Sequence, residues 1–351
     1  MASRVDERIA RLFDDAQGRR SLVTSSSAPE CKALRRRVGK GELVEVLRGL
    51  FVRVPYWESL DPGTRALHVM RALQELHPRW VFCGPSAAIA YGLPVSWHHV
   101  ATTHVAGARS SKSTVRGVSF HRLDACEPVA FSGLLLAPFW RTVFDCATAL
   151  DFPDALAVLD GAARLSGASG AQIADRFRAS YAHHPGVGKA VRAARFADGR
   201  SESGGESIAR ATFIELGFEI PELQVRIADP LEPWREFRVD GFWFSADGIP
   251  VFFELDGMGK SEDPRLARGR SKERVLAEER VRESLLTYYG ARVLRVTYPE
   301  LFDRRRLASK LDRFGVPRCD AGCAQPPRLK TSRAYFDVYD GLKLLVTEEV
   351  A

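Results

Sequence analysis

The most constraining feature of this sequence is a pair of apolar runs, EFRVDGFWF and IPVFFELD, that each carry acid where acid is costly to bury. Side chains alternate faces along a strand, so VFFELDG sets Val251, Phe253 and Leu255 on one side and Phe252, Glu254 and Asp256 on the other. Carboxylates on one face of such a strand need a partner, and a cation is the simplest one. Asp240 interrupts the preceding run in the same way, and a turn near Asp247 and Gly248 makes the two strands antiparallel. Pairing by equal steps about those two residues puts Asp240 opposite Leu255; a one-residue shift or a bulge brings it to the face of Glu254 and Asp256. The sequence is compatible with either register. With the shift made, Asp240, Glu254 and Asp256 offer hard oxygen ligands to one ion, a set that suits Mg²⁺ or Mn²⁺.

The flanking residues give these runs an order. In SGGESIARATFIELGF, Ala209, Thr212, Phe213 and Leu216 form one helical face, and Ser203 with Glu206 fits a capping box, which gives Glu206 a structural task. ELQVRI is a third strand-like run, a charged helix is expected from about Ser271 to Tyr289, and ARVLRVTY reads as a strand before a helix near Pro299. The unit is therefore helix, three strands, helix, strand, inside an α/β chain of multidomain α+β type.

The Asp, the apolar strand ending Glu-Leu-Asp-Gly and the cation soon after it resemble the PD-(D/E)XK nuclease superfamily. The similarity is greatest to the group related to very-short-patch repair endonucleases, collected as domain of unknown function 559. The matching residues are Glu206, Asp240, Glu254, Asp256 and Lys260, with GARVLRVTYPEL closing the unit. This resemblance implies a restriction-endonuclease-like αβββαβ core and metal-dependent hydrolysis of phosphodiester bonds in DNA. It makes Asp240 and Glu254 direct metal ligands, Glu206 an outer ligand, Asp256 a ligand or base, and Lys260 a partner of the scissile phosphate. Arg274, Arg280 and Arg282 are candidate phosphate clamps, or else surface cations paired with Glu278, Glu279 and Glu283. Two positions depart from the pattern. Asp256 stands where many members have lysine, and Lys260 where close relatives often have His. A Mg²⁺-dependent deoxyribonuclease is thus set against an alternative, a DNA-binding repressor whose nuclease-like domain does not turn over.

Charge points the other end of the chain to nucleic acid. The net charge is +7, and residues 1–55, with 12 Lys/Arg and 7 Asp/Glu, supply +5 of it. Lys32, Arg35, Arg36, Arg37 and Lys40 crowd one segment in which Leu34 and Val38 share a helical face. GELVEVLRGLFVRV then alternates, breaks at Gly49 and resumes, as a two-stranded wing does. Upstream, Val5, Ile9, Leu12 and Phe13 recur at helical spacing, and a short Ser-rich helix or turn is expected from Thr24 to Pro29. The order is that of a winged helix-turn-helix, whose basic helix can lie in the major groove while its cations neutralise phosphates. LRRRVGKGELVEVLRGLFVRV resembles the N-terminal domain of abortive-infection AbiEi-type antitoxins. The resemblance implies DNA as a partner, with a cognate toxin or a second copy of the chain as further ones.

The middle stretch says less, although SAAIAYGLPV and WRTVFDCA resemble the domain that follows in AbiEi-type proteins. His98, His99, His104 and His121 lie on different elements without ligand-spaced partners and read as surface or packing residues. The six cysteines are scattered and read as free thiols. No apolar run approaches the roughly 18 residues of a membrane span, and the charged start has no signal-peptide pattern, so cytoplasm is the expected compartment. The sequence divides as a winged helix over 1–55, a middle domain over 56–198, the nuclease-like domain over 199–316 and an extension over 317–351.

Overall fold

The computed structural model describes residues 4–25, 27–107, 116–123, 127–229, 231–232, 234–256, 284–285, 288, 290–319, 336–337 and 343–345. It is an α+β fold of two compact units, Met1–Ala149 and Leu150–Ala351. The division falls inside the stretch read above as one middle domain. Among the described residues, no helix is long and apolar enough to cross a membrane.

The first unit opens with α1 (Arg4–Gly18), whose Ile9, Phe13 and Ala16 are buried, then β1 (Val23–Thr24), α2 (Ala28–Gly39) and the hairpin of β2 (Leu43–Leu47) and β3 (Leu50–Arg53). Thr24 pairs with Leu50, the Ser27 hydroxyl accepts the Glu30 N–H at 3.4 Å, and Pro29 occupies the first turn of α2. The expected helix or turn at Thr24 to Pro29 is therefore a strand end, a cap and the first turn of the basic helix. β-Branched Val23 and Thr24 suit the strand, while Ser followed by Pro suits a helix start. Among the described residues, two helices precede the wing.

The unit continues through α3 (Val54–Glu58), α4 (Pro62–Leu76) and α5 (Gly84–Ala90). Then come parallel β4 (Thr103–Gly107) and β5 (Val118–Arg122), the hairpin β6 (Val129–Phe131) and β7 (Leu134–Leu136), and α6 (Phe139–Ala149). Leu22, Leu50 and Val52 share one hydrophobic cluster with Met70, Phe82, Val105 and Leu136. The wing and the residues after position 55 thus have a common core. His104 and His121 meet through Nδ1 and Nε2 at 2.8 Å.

The second unit holds α7 (Phe152–Ser166), α8 (Gly170–Ser180), α9 (Val187–Ala194), α10 (Gly204–Glu215), β8 (Glu222–Ala228), β9 (Glu236–Phe244), β10 (Pro250–Asp256), β11 (Arg292–Thr297), α11 (Arg304–Phe314), β12 (Phe336–Asp337) and β13 (Lys343–Leu345). Its six-stranded sheet has the order β11-β10-β9-β8-β13-β12. β10 and β11 are parallel and the other neighbours antiparallel. The expected helix after β10 lies mostly outside the described residues; Ser284, Leu285 and Tyr288 are helical. The C-terminal stretch adds an edge hairpin to the sheet.

Two local features set up the site. Arg210 of α10 donates through Nη2 to both carboxylate oxygens of Asp160 on α7, each at 2.7 Å, with side-chain exposures of 2% and 0%. Asp160 also accepts the Asp198 N–H at 2.8 Å, so the anion is bonded on several sides and α10 is fixed to α7. At the β9–β10 turn, Ser245 N–H donates to Ile249 O at 2.9 Å and Gly248 N–H to Ser245 O at 2.8 Å, with Gly248 at φ +77°. This is a three-residue turn, Ala246-Asp247-Gly248, ending in a left-handed residue that glycine adopts without strain.

Cys31 and Cys146 are free thiols. Cys319 is disulfide-bonded, which corrects the expectation that all the cysteines are free.

Candidate functional site

The three-residue turn decides the register. It pairs Phe244 with Pro250, Trp243 with Val251, Phe242 with Phe252 and Gly241 with Phe253. Continued by one step, that pairing sets Asp240 opposite Glu254, not Leu255. The one-residue shift needed to bring Asp240 to the face of Glu254 and Asp256 is therefore present. Beyond the last ladder pair the Asp240 side chain takes over, with Oδ2 accepting the Leu255 N–H at 2.9 Å.

Glu254 is 8% exposed. Its neighbour in the parallel register is Arg295, whose Nη2 lies 3.6 Å from Glu254 Oε2. Asp256, two residues on, is exposed at the strand end and level with Thr297.

Glu206 comes from the first turn of α10. Its Oε1 accepts from Ser203 Oγ at 2.7 Å, and its Oε2 from Glu202 N–H at 2.9 Å and Gln224 Nε2 at 3.0 Å. The expected capping box is altered. Ser203 Oγ accepts the Glu206 N–H at 3.2 Å, but the return bond comes from the Glu202 amide, one residue before the cap. Burial raises the pKa of Glu206 above the usual carboxylate range; the Glu202 and Ser203 hydrogen bonds oppose this, and the negative charges of Asp240 and Glu202 add to it. Gly205 allows the helix end to come this close, since a Cβ there would stand 2.8 Å from Leu255 Cδ2.

The structure thus brings Asp240, Glu254 and Glu206 to one corner of the sheet. Among the described residues, Asp240, Glu254 and Asp256 do not place three carboxylate oxygens within 4.8 Å of one another. Each acid has its own partner: the Leu255 amide holds Asp240, and Arg295 attracts Glu254. Lys260, Arg274, Arg280 and Arg282 lie outside the described residues.

Two members of this corner carried no signal strong enough to single them out in the sequence. Arg295 alternates with apolar residues in RVLRVT like any half-exposed strand residue. Gln224 is the uncharged polar residue of ELQVRIA, and its significance depends on a register the sequence leaves open.

In the first unit, Lys32, Arg35 and Arg36 line an open cleft of about 670 Å³ with Ala28, Cys31, Arg48 and Gly49. Glu45 on β2 fixes this arrangement. It accepts from Arg35 Nε at 3.0 Å, Arg35 Nη2 at 2.9 Å and Gly49 N–H at 2.9 Å, tying the basic helix to the wing turn. The Arg35 hydrogen bonds are the main reason that the Glu45 carboxyl sits below its ordinary pKa. Arg35 is therefore committed to Glu45, and Arg37 turns back to Ala33 O at 3.3 Å. Lys32, Arg36 and Lys40 are exposed. Arg48, at the wing turn, joins the cleft although the cation cluster in the sequence ends at Lys40.

No known family's sequence profile matches the chain. It is 32% identical over 207 residues to the uncharacterized protein MT2308 of Mycobacterium tuberculosis (strain CDC 1551 / Oshkosh), a region that covers 57% of this chain and 72% of that protein. The same identity and coverage hold for the uncharacterized protein Rv2248 of Mycobacterium tuberculosis (strain ATCC 25618 / H37Rv). On that identity and coverage, this chain belongs to the same family as the mycobacterial proteins MT2308 and Rv2248.

Proposed function

We propose that the protein binds DNA through its basic amino-terminal cleft and hydrolyses phosphodiester bonds at the carboxylate corner of its second unit, using Mg²⁺ or Mn²⁺. The observation that carries this reading is the register that sets Asp240 level with Glu254. A sheet built only for stability gains nothing from opposing carboxylates in an apolar layer.

The residues fit a hard divalent cation. The donors are carboxylate oxygens, and the Glu206 carboxyl is already disfavoured as an anion by burial and by Asp240. Asp240 and Glu254 would hold the ion, with Glu206 as an outer partner. When bound, such an ion lowers the pKa of water and stabilises charge on phosphorus. Asp240 is oriented by the Leu255 amide and Glu206 by Ser203, Glu202 and Gln224. Asp256, exposed at the strand end, would accept a proton from an attacking water. Arg295 supplies positive charge beside Glu254, in a family pattern whose usual lysine position is here Asp256.

A second reading is favoured by the same ion pair. With Arg295 beside Glu254, the domain could retain its acids without turnover, and the protein would act as a DNA-binding repressor of antitoxin type. Incubation with supercoiled plasmid and Mn²⁺ separates the two. Nicking that disappears in an Asp240→Ala, Glu254→Ala double variant supports the nuclease. Cleavage that persists in the double variant rejects the site, and a protected operator without any cleavage supports the repressor.

A further inference from the structure

Gln224 bears two costs at one residue. Its backbone is left-handed inside a strand, at φ +54°, where a residue with a side chain is seldom found. Its side chain is nine-tenths buried, yet Oε1 has no hydrogen-bond partner among the described residues. An apolar side chain would avoid the second cost altogether. The β8–β9 register pairs Leu223 with Gly241 and Val225 with Val239, so Gln224 falls level with Asp240. Gln224, Asp240, Glu254 and Arg295 thus form one row across four strands, with Glu206 held by Gln224 Nε2 at 3.0 Å. The reverse amide orientation would turn oxygen toward the Glu206 carboxylate, so the nitrogen's contact fixes which atom remains for a ligand.

We infer that Gln224 is a neutral oxygen donor of the divalent-cation site, with Nε2 holding Glu206 and Oε1 contributing to the ion's coordination or hydration shell. This rests on the cation-site reading above. Amide oxygens are ordinary ligands of hard cations, and a neutral one adds a donor without adding repulsion against Glu206, Asp240 and Glu254.

The test is Mn²⁺ titration of the full chain, followed by calorimetry and by the electron paramagnetic resonance of free Mn²⁺, with a thermal melt of each variant. Gln224→Leu is expected to weaken binding roughly 10- to 100-fold. Gln224→Glu keeps an oxygen but loses the N–H that holds Glu206, so it should bind less tightly than the parent and more tightly than Gln224→Leu. Gln224→Asn tolerates a left-handed backbone but withdraws the oxygen by one methylene; it should fold and bind about 10-fold more weakly, and so decides the matter if the leucine variant does not fold. Unchanged binding in Gln224→Leu or Gln224→Asn overturns the inference, as does a Gln224→Glu variant that falls as far as Gln224→Leu. In those cases a loss of binding in Asp240→Asn leaves the cation site standing. If the parent takes up no Mn²⁺, or Asp240→Asn binds like the parent, the site reading fails and this inference fails with it.

Discussion

The backbone N–H of Leu255 donates to the carboxylate of Asp240 at 2.9 Å, joining β9 to β10 just past the last paired residues. Asp240 is therefore both an acid of the proposed site and a structural acceptor, and substitutions can separate the two roles. Asp240→Asn keeps an acceptor and should leave stability within about 0.5 kcal/mol, whereas Asp240→Ala strands the amide and should cost about 1–3 kcal/mol. Urea unfolding measures that difference, and plasmid nicking should be lost in both variants.

The Arg210–Asp160 pair predicts a larger effect. Both groups are fully buried and bonded to each other. Arg210→Met or Asp160→Ala alone leaves an uncompensated charge and should cost about 3–5 kcal/mol, while a joint Arg210→Met, Asp160→Leu replacement should recover part of that loss. Chemical unfolding of the three variants checks the order. Equal losses in the single and joint variants would show that the pair's charges are not what stabilises the helix contact.

In the amino-terminal cleft, cations differ in their commitments. Lys32 and Arg36 are exposed, while Arg35 is held by Glu45 on two nitrogens. If the cleft grips phosphates, Lys32→Ala and Arg36→Ala should each reduce the slope of log affinity against log salt by about 1, and Arg35→Ala by clearly less. Fluorescence anisotropy with a duplex at several salt concentrations provides the slopes.

A pH effect follows from the paired histidines of the first unit. Burial, helped by the neighbouring His121 and His99, pushes His104 from its ordinary 6.5 down to about 4. The unfolded chain takes up a proton near 6.5 that the folded chain refuses until about 4. Stability is therefore fully present above 6.5 and falls as pH drops toward 4, by up to about 3 kcal/mol. Melting temperatures across that window should decline in the parent and decline less in His104→Asn.

Periodicity made much of the second unit legible. A helix, three strands, a further strand and the acids at Asp240 and Glu254 follow from alternation and spacing, whereas spacing alone reads Glu206 as a helix cap. The register did not, because a turn containing Asp247 and Gly248 can close with two residues or with three, and only the three-residue form levels Asp240 with Glu254. The role of Arg295 depends on a parallel pairing between strands far apart in sequence, which no local pattern encodes. Gln224 was obscured for a related reason, since a lone amide in a short strand signals nothing until its neighbours are known. At the other end, Val23 and Thr24 contain too few residues to announce a strand, and the serines beside them resemble a loop or helix start.

Leu50 and Val52 of the wing lie in one cluster with Met70, Phe82 and Leu136. The first 55 residues accordingly cannot be lifted out like a cassette and grafted elsewhere. A fragment cut there would turn a greasy flank toward water and clump, whereas one ending at Ala149 would keep that cluster together.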